Sequence, residues 1–428
     1  MKILSFCFDN AWSFKGEQCL DFDFKSKDKK YASDPRFIEL AENHYVPSVI
    51  TCIGANASGK SNLIKVLIAL ISFMIDRKSR LAVDFFKLCE EPEELSEFEL
   101  RFEVSNVIYR YYLSYDHEEK RVEYESLDEA NPETGRWKYV FRRKLNYDTG
   151  NIHISKGGRS KFSIDKMKRE LEHSESLLAV SRSLKHETGL EEILKGLSQT
   201  FSYKFETVFP VEQVIKRFQD IEVIDKVSSY LKSFDVGISR IEHTQVDIEE
   251  DVLNSSPMKL LKGFIESIPS ELGPPPEQLK NIMAGKTSFC EAVHEIDGQE
   301  YKFDINFESD GTRQLIKVLF PIILALSSGG VAIIDEIEVG LHPIVVERII
   351  EFFREDMGYG ERGQLICSSH SVNVINQLSK RQIVLVEKDR KTQQSEAWSL
   401  NDVKDVKERD NFFMNYITGK YGAIPQVG

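Results

Sequence analysis

The sequence lacks the long hydrophobic runs that would indicate a membrane protein or a secreted one. No stretch approaches the ~20 uninterrupted apolar residues that a membrane-spanning helix needs, since the run from Leu63 to Ile75 is short and contains Lys65. The N-terminus, MKILSFCFDN, has no extended apolar segment and is typical of a strand rather than a signal peptide. We therefore expect a cytoplasmic protein with no membrane partner.

Cysteine is scarce, with 6 residues in a chain of 428. None of them forms a Cys-x-x-Cys pair or a cluster with histidine, which argues against a structural zinc site and for a reducing compartment. The histidines at positions 117, 153, 173, 186, 243 and 294 have no ligand spacing between them. A metal centre built from protein ligands alone is therefore not expected.

Positive charge is also in short supply, because 56 basic residues face 69 acidic ones and the net charge is −13. This balance does not suggest a generic binder of polyanions such as nucleic acid. The small basic clusters at 27–30, 142–144 and 156–161 are more typical of solvated faces, and a local basic surface stays an open alternative.

What the sequence does contain is a segment suited to phosphate, GANASGKS at residues 54–61, which we call the phosphate loop. It fits G-x-x-x-x-G-K-[ST] and lies between a predicted strand, VPSVITCIG, and a predicted buried helix, NLIKVLIALISFMI. Glycines let backbone N–H groups approach phosphate oxygens, the helix N-terminus favours negative charge, and the lysine reaches the β- and γ-phosphates. The hydroxyl of Ser61 is a predicted ligand of Mg²⁺. The predicted nucleotide-binding residues here are Gly54, Asn56, Ala57, Ser58, Gly59, Lys60, Ser61 and Asn62.

Two carboxylates end a second apolar strand, in GGVAIIDEIEVGLHP at residues 329–343. A nucleotide site needs such a strand, and we assign Asp335 to nucleotide and Mg²⁺ binding and Glu336 to activation of the attacking water. A third strand, QLIC, ends in SSH and places His370 at a strand tip, within reach of a γ-phosphate. The helical stretch PIVVERIIEFFRE separates these strands, so their ends meet where ligands of open α/β sheets bind.

The segment SDGT precedes a long apolar helix in INFESDGTRQLIKVLFPIILAL. Ser309 and Gly311 therefore stand at a second helix N-terminus suited to an anion. The residues alone leave open which phosphate this segment meets.

The four segments, in this order, resemble the ABC-type ATPases, in particular the head domains of the SMC and DNA-repair class. GANASGKS matches Walker A, SDGT the signature motif, VAIIDE Walker B and SSHS the switch histidine. The resemblance implies ATP and Mg²⁺ as cofactors and catalytic roles for Glu336 and His370. It also implies a head-to-head dimer, in which Ser309 and Gly311 contact the ATP held by the partner and EVGLHP is the D-loop near the interface.

A narrower resemblance covers most of the chain. FCFDNAWSFKGEQCLDF, FESDGTRQL, DEIEVGLHP and the ending YITGKYGAIPQVG are similar to stand-alone ATPases of prokaryotic defence operons, namely abortive-infection and RloA-like proteins and the ATPase subunit of PARIS systems. This resemblance implies control of a separate effector from the same operon, a nuclease or toxin, after a trigger by a phage protein or nucleic acid. The C-terminal ending is implied to be structural or to dock a partner.

The chain departs from the ABC pattern at the Q-loop, because the first glutamine after Ser61 is Gln199. The strand LSEFELRFEV occupies the expected place in the sequence. Glu97 or Glu99 is therefore the candidate substitute for the usual glutamine contact to Mg²⁺ and water.

The predicted fold is α/β, an ABC-ATPase head with a P-loop NTPase core, an antiparallel β subdomain and a mainly helical insertion in place of a long coiled coil. Residues 1–160 are predicted to form the N-terminal half of the head, residues 161–295 the insertion, and residues 296–428 the C-terminal half. The insertion shows no sustained heptads, which excludes the long arm of SMC proteins.

Local patterns predict individual elements. ELRFEVSNVIYRYYLSYD predicts two strands joined near Ser105 and Asn106. In the insertion, the predicted helices are KMKRELEHSESLLAVSRSL at residues 166–184, GLEEILKGLSQTF and VEQVIKRFQDIEVIDKVSSYLKSF. A short strand pair is predicted near ISRIEHTQVDI, and ELGPPPEQLK is a predicted proline break.

Three functions are weighed on this basis. The leading one is a slow, regulatory ATPase of anti-phage defence, acting as a homodimer or higher oligomer; the 58 residues after His370 (428 − 370) are too few for an appended nuclease domain, which favours a separate effector. The alternative is a DNA-binding structural or repair ATPase of the SMC-like class. A transporter subunit is disfavoured by SDGT and by the missing glutamine.

Overall fold

The computed structural model describes most of the chain, and its described residues are 1–131, 134–184, 187–203, 211, 214–215, 221–247, 286–355 and 362–425. These residues belong to two compact units. The first unit contains residues 1–207 and 321–428, and the second contains residues 208–320. Within the described part, no helix is long and apolar enough to cross a membrane.

Strands are more frequent than helices in the described residues. The strands are β1 Lys2–Asp9, β2 Gln18–Asp21, β3 Phe24–Lys25, β4 Phe37–Ala41, β5 His44–Pro47, β6 Val49–Ile53, β7 Leu95–Val104, β8 Val107–Asp116, β9 Arg121–Ala130, β10 Trp137–Leu145, β11 Ile152–Lys156, β12 Thr200–Tyr203, β13 Ile238–Asp247, β14 Lys286–Ile296, β15 Gln299–Asp304, β16 Val331–Ile334, β17 Gln364–Ser369, β18 Ile383–Lys388 and β19 Ser395–Ser399. The helices are α1 Lys30–Ser33, α2 Lys60–Ile75, α3 Ile164–Glu170, α4 Leu177–Ser183, α5 Glu191–Leu197, α6 Ile221–Lys232, α7 Asp310–Ser328, α8 Pro343–Phe352 and α9 Phe412–Ile417.

The central sheet of the first unit positions the phosphate loop. Its order is β12-β16-β17-β6-β18-β19, and every neighbouring pair is parallel except β18 with β19. β6, β16 and β17 are buried along their whole length, which explains the continuous apolar runs VITCI, VAII and QLIC. Parallel strands bring their carboxyl ends to one edge of the sheet. The predicted P-loop core is confirmed.

The first unit also contains a seven-stranded antiparallel sheet and a small sheet of order β3-β5-β4. The order of the larger sheet is β11-β10-β9-β8-β7-β1-β2, and every neighbouring pair is antiparallel. Ser105 and Asn106 join β7 to β8 with φ angles of 51° and 64°, which is the backbone of a tight hairpin turn. The predicted antiparallel subdomain is therefore confirmed, together with the predicted turn.

Helix α2, which directly follows the phosphate loop, is largely buried. Between Leu63 and Ile75, all residues are buried except Lys65, Ser72 and Ile75. The helix contacts β16, β17, α4 and α5. Because each fully buried large apolar side chain contributes about 1.5–3 kcal/mol, core packing holds the start of α2 firmly in place.

A buried carboxylate connects α4 to the antiparallel sheet. Glu125 on β9 accepts hydrogen bonds from the hydroxyls of Tyr111 and Ser176, at 3.0 and 2.7 Å, and from the N–H of Leu177, at 2.9 Å. The guanidinium of Arg143 lies 3.5 Å from the same carboxylate, and both side chains are almost fully buried. Burial lowers the pKa of Arg143, while the neighbouring Glu125 charge opposes that shift.

The segment after residue 160 begins within the first unit. Helices α3, α4 and α5 form there, and β12 adds a strand beside β16. The sequence analysis assigned SQTF to a helix and treated residues 166–184 as one helix, whereas the structure has a strand at the first place and two helices at the second. The predicted segment boundaries at 160 and 295 remain predictions, and the compact units have different bounds.

The described part of the second unit combines helices with a sheet. The strand order is β13-β14-β15, and α6 contacts β13. Arg240 pairs with Glu300, and Lys302 pairs with Glu242, across these strands. The strand predicted in ISRIEHTQVDI is confirmed by β13, and the described insertion holds more strand than expected. The predicted proline break ELGPPPEQLK lies outside the described residues.

One cysteine pair was not anticipated from the sequence. Cys7 on β1 and Cys19 on β2 form a disulfide, and they are directly opposite each other in the antiparallel register. Their separation of 12 residues has no motif that marks it, because only the hairpin brings them together. Cys52, Cys89 and Cys367 carry free thiols.

Candidate functional site

The phosphate loop has the backbone that its glycines allow. It connects β6 to α2, and Gly59 caps the helix with φ at 114°. A Cβ atom at Gly54 would come within 2.1 Å of the Val386 carbonyl oxygen on β18, so only glycine fits between these strands. Ala57 also has a positive φ, 59°. The predicted strand, loop and helix are therefore confirmed, although the binding roles of the loop residues stay predictions.

Lys60 is held inside the loop that precedes it. Its ammonium donates to the carbonyls of Gly54 and Ala55, each at 2.9 Å, and lies 3.3 Å from Nδ1 of His370. The residue is only 4% exposed. Burial lowers the pKa of Lys60, and the charges of nearby carboxylates, Glu338 first among them, oppose the shift. A phosphate would supply the counter-charge that this ammonium needs.

Two serines from distant parts of the chain, Ser13 and Ser395, hold the phosphate loop through hydrogen bonds. Ser395 on β19 donates to the carbonyl of Ser58 at 2.7 Å, and its Oγ lies 2.9 Å from Oγ of Ser13. The Asn62 amide also donates to Ser13 Oγ, at 2.9 Å. A Cβ atom at Gly59 would lie 2.5 Å from Ser395 Oγ. The sequence analysis missed these two serines, because no local pattern marks them.

A serine on β17, the strand that precedes His370, forms hydrogen bonds with both Walker B residues. Ser368 on β17 donates to Oδ1 of Asp335 at 2.5 Å and accepts from the N–H of Glu336 at 2.7 Å. Asp335 is buried, and Glu336 has a positive φ of 52°, which is uncommon for a residue with a side chain. Ser368 was not among the predicted site residues, although it lies within the SSHS segment.

A histidine and two glutamates face each other at the strand ends. Nε2 of His370 lies 3.8 Å from Oε1 of Glu336. The backbone N–H of His370 donates to the carboxylate of Glu338, whose other oxygen is buried and has no hydrogen-bond partner among the described residues. Glu338 is the third carboxylate of DEIE and was not predicted. The arrangement brings an imidazole and two carboxyl groups together at the strand ends.

Lys60, Glu336 and His370 are among the residues around a cavity of about 600 Å³. Its lining residues are Asn56, Ala57, Ser58, Gly59, Lys60, Ser61, Asn62, Glu336, His370 and Lys388. Oγ of Ser58 is buried beside it and has no hydrogen-bond partner in the described part of the chain. An unpaired hydroxyl, a buried ammonium and a helix N-terminus all suit a phosphate chain.

The oxygen donors at this edge also suit Mg²⁺. Ser61 lines the cavity. Asp335 directly follows β16, which is two strands away from β6 in the central sheet. The described residues contain no group of three or more His, Cys, Asp or Glu side chains that would hold a metal ion by themselves. Such a donor set fits a cation that takes one or two protein ligands and completes its shell with phosphate oxygens and water.

The remaining predicted residues lie elsewhere. Ser309 and Gly311 stand at the start of α7 in the second unit, where Oγ of Ser309 accepts from the N–H of Thr312 at 3.1 Å. Glu97 and Glu99 lie on β7 of the antiparallel sheet, and neither lines the cavity just described. Burial raises the pKa of Glu99. The roles proposed for these four residues stay predictions.

A family model described as "AAA domain, putative AbiEii toxin, Type IV TA system" matches residues 52–376. No curated protein matches the chain.

Solved structures similar to the chain include an SMC head domain from Thermotoga maritima, with 11% identity, a TM-score of 0.41, and coverage of 93% of this chain and 99% of that one. A second is an SMC head bound to the C-terminal winged-helix domain of ScpA, with 12% identity, a TM-score of 0.41, and coverage of 93% and 97%. A third is an SMC head with an extended coiled coil from Pyrococcus furiosus, bound to the C-terminal domain of ScpA, with 14% identity, a TM-score of 0.37, and coverage of 94% and 97%.

Proposed function

The chain belongs to the AAA-domain family whose description names the AbiEii toxin and type IV toxin–antitoxin systems, and from this membership we propose that it is a slow regulatory ATPase of a prokaryotic anti-phage system. It acts as a head-to-head dimer with ATP between the two copies and controls a separate effector, a nuclease or toxin. The observation that carries the proposal is the meeting of Lys60, Glu336 and His370 around one cavity at the sheet edge.

Each residue of this site has a task in ATP hydrolysis. Lys60 neutralises charge on the β- and γ-phosphates, and its buried ammonium gains a partner when they bind. Ser61 and Asp335 would hold Mg²⁺, which would supply charge neutralisation for the phosphates. Glu336 takes the proton of the attacking water, and His370 contacts the γ-phosphate from the neighbouring strand.

The chemistry of the described residues supports a separate effector. They contain no group of three or more His, Cys, Asp or Glu side chains that could hold a metal ion in the way a metal-dependent nuclease does. An ATPase without effector chemistry of its own can act by changing conformation with nucleotide state and presenting a surface to a partner.

The defence role is tested in two steps. A host that carries this gene with its neighbours is challenged with a broad phage panel, beside hosts that carry the Lys60→Ala and Glu336→Gln variants. We expect protection by the wild type and its loss in Lys60→Ala. Unchanged phage sensitivity in the wild-type host would remove the defence role. Purification of the Glu336→Gln protein with Mg-ATP from its native host then identifies a stoichiometric partner by mass spectrometry.

A DNA-binding ATPase of the SMC-like class is the second candidate, and strand β10 favours it. Trp137 and Tyr139 are exposed there, 37% and 44%, beside the exposed basic residues Lys138 and Lys144. Exposed aromatic and basic side chains on one strand suit the bases and phosphates of nucleic acid. ATP-stimulated DNA binding that weakens steeply with salt would support this function, and no binding at low salt would dismiss it.

A further inference from the structure

A second cavity lies on the other side of the phosphate loop, and it is not used by the site described above. Its volume is about 590 Å³. Both cavities are lined by Asn56, Ala57, Ser58 and Lys388. Part of the phosphate loop therefore forms a wall that the two cavities have in common. A nucleotide whose phosphates occupy the first cavity therefore has space for its remaining part next to them.

The C-terminal segment forms the apolar wall of this second cavity. Ile424 and Pro425 line it, and the residue before them is tied down on both sides. The N–H of Ala423 donates to Oε2 of Glu387 at 3.2 Å, and its carbonyl accepts from the Tyr416 hydroxyl at 2.8 Å. This anchoring to β18 and α9 places two apolar side chains beside the phosphate loop.

The hairpin between β18 and β19 forms the polar wall. Asp389 accepts hydrogen bonds from the N–H groups of Lys391 and Thr392, at 2.8 and 2.7 Å, and these bonds lower the pKa of its carboxyl. The Gln393 amide donates to the carbonyl of Arg390 at 2.7 Å. The hairpin is thereby shaped so that Lys388, Arg390, Lys391 and Gln393 all line the cavity.

We propose that this second cavity binds the nucleoside part of the nucleotide, with the base packed against Ile424 and Pro425. The inference rests on the proposed function, because it needs the triphosphate in the first cavity. The apolar wall faces polar, basic and acidic groups, the last from Glu387 and Asp389. This is the composition of small-molecule sites, where apolar surface gives affinity and a few polar groups fix orientation. Lys388, shared by both cavities, stands where the phosphates meet the ribose.

This assignment gives the C-terminal ending GKYGAIP a chemical task. The cavity lies at the carboxyl end of β18, beside β6, where ligands of parallel sheets bind. Gly422 fits that task, since a Cβ atom there would lie 3.1 Å from Oε2 of Glu387, at a φ of 75°. The segment therefore distinguishes nucleotides from other polyphosphates.

Binding of two ligands separates this subsite from the phosphate loop. Wild type and Ile424→Asn are titrated with Mg-ATP and with Mg-tripolyphosphate by calorimetry. Ile417→Asn is the matched control, because Ile417 is exposed on α9. We expect Ile424→Asn to weaken ATP binding at least tenfold and to leave tripolyphosphate binding unchanged, which also shows that the variant is folded. We expect Ile417→Asn to bind both ligands like the wild type.

Other outcomes would overturn the proposal. Unchanged ATP affinity in Ile424→Asn would place the base elsewhere. Equal losses for ATP and tripolyphosphate would mean that Ile424 supports the phosphate loop instead of the nucleoside. Wild-type protein that binds neither ligand would overturn the proposed function and the subsite with it, whereas intact wild-type binding with an unaffected variant would overturn the subsite alone.

Discussion

Among single residues, we expect the buried ammonium of Lys60 to control nucleotide binding. Replacement by alanine removes the charge that is predicted to contact the phosphates, so Lys60→Ala should lose ATP binding. Saturating Mg-ATP at 100 times its Kd stabilises a binding-competent protein by about 2.7 kcal/mol, and thermal unfolding detects this shift. We expect the shift in the wild type and in Lys65→Ala, the matched control on the same helix, and none in Lys60→Ala. An ATP-dependent shift in Lys60→Ala would contradict the site.

Glu336 should control hydrolysis without controlling binding. Glutamine keeps the size of the side chain but accepts no proton, so Glu336→Gln should hydrolyse ATP about 10²–10⁴-fold more slowly while its ATP affinity stays near that of the wild type. Phosphate release and calorimetry measure the two quantities. Glu347→Gln, on α8, serves as the control with wild-type rates. Wild-type hydrolysis by Glu336→Gln would assign the base to another residue, with Glu338 as the next candidate.

The residues of the site differ in how far the sequence predicts them. Lys60 and Ser61 belong to a local pattern that encodes strand, turn and helix within a few residues, so their arrangement could be read directly. Ser13 and Ser395 support the same loop through hydroxyl contacts between segments that are distant along the chain. Glu338 forms its contact with the His370 backbone only once β16 and β17 are side by side. Contacts of this kind have no local signature.

At the scale of elements, patterning predicted strands better than it predicted helix boundaries. The alternation of apolar and polar residues and the two-residue turn predicted β7 and β8, because both signals are local in the sequence. The sequence analysis predicted α3 and α4 as one helix because their apolar residues continue one pattern. The signal for a new helix is Ser176, whose side chain caps the N-terminus of α4. Strand β12 was missed because four residues gain strand structure only through their distant partner β16.

The connection between α4 and the antiparallel sheet gives a stability prediction. Glu125→Gln removes the carboxylate charge next to the buried Arg143 guanidinium, so the free energy of unfolding should fall by about 3–5 kcal/mol. Denaturant unfolding measures the difference. The control is Glu119→Gln, whose ion pair with Arg121 is more than half exposed on the glutamate side and should cost less than about 1 kcal/mol. Equal stabilities of the two variants would refute the role of the buried pair.

For the whole molecule, the main prediction concerns assembly. If SDGT contacts ATP held by a second copy, Glu336→Gln should form a dimer with Mg-ATP, and the added Ser309→Arg change should prevent it by placing a bulky cation at the helix start. Light scattering after size exclusion gives the mass directly. Ser229→Arg, at an exposed position of α6, is the matched control and should still dimerise. The same ATP-dependent dimer in the Ser309→Arg protein would end the proposed role of SDGT.

The hydroxyl contact between Ser395 and the phosphate loop has a consequence for synthesis of the protein. Ser58 and Ser395 are separated by 337 residues, and β17 and β18, the two neighbours of β6, also come from the far end of the chain. At a translation rate of about 5–20 residues per second, the phosphate loop leaves the ribosome roughly 17–67 s before Ser395. We therefore expect the nascent chain to complete this predicted nucleotide site only after Ser395 has left the ribosome.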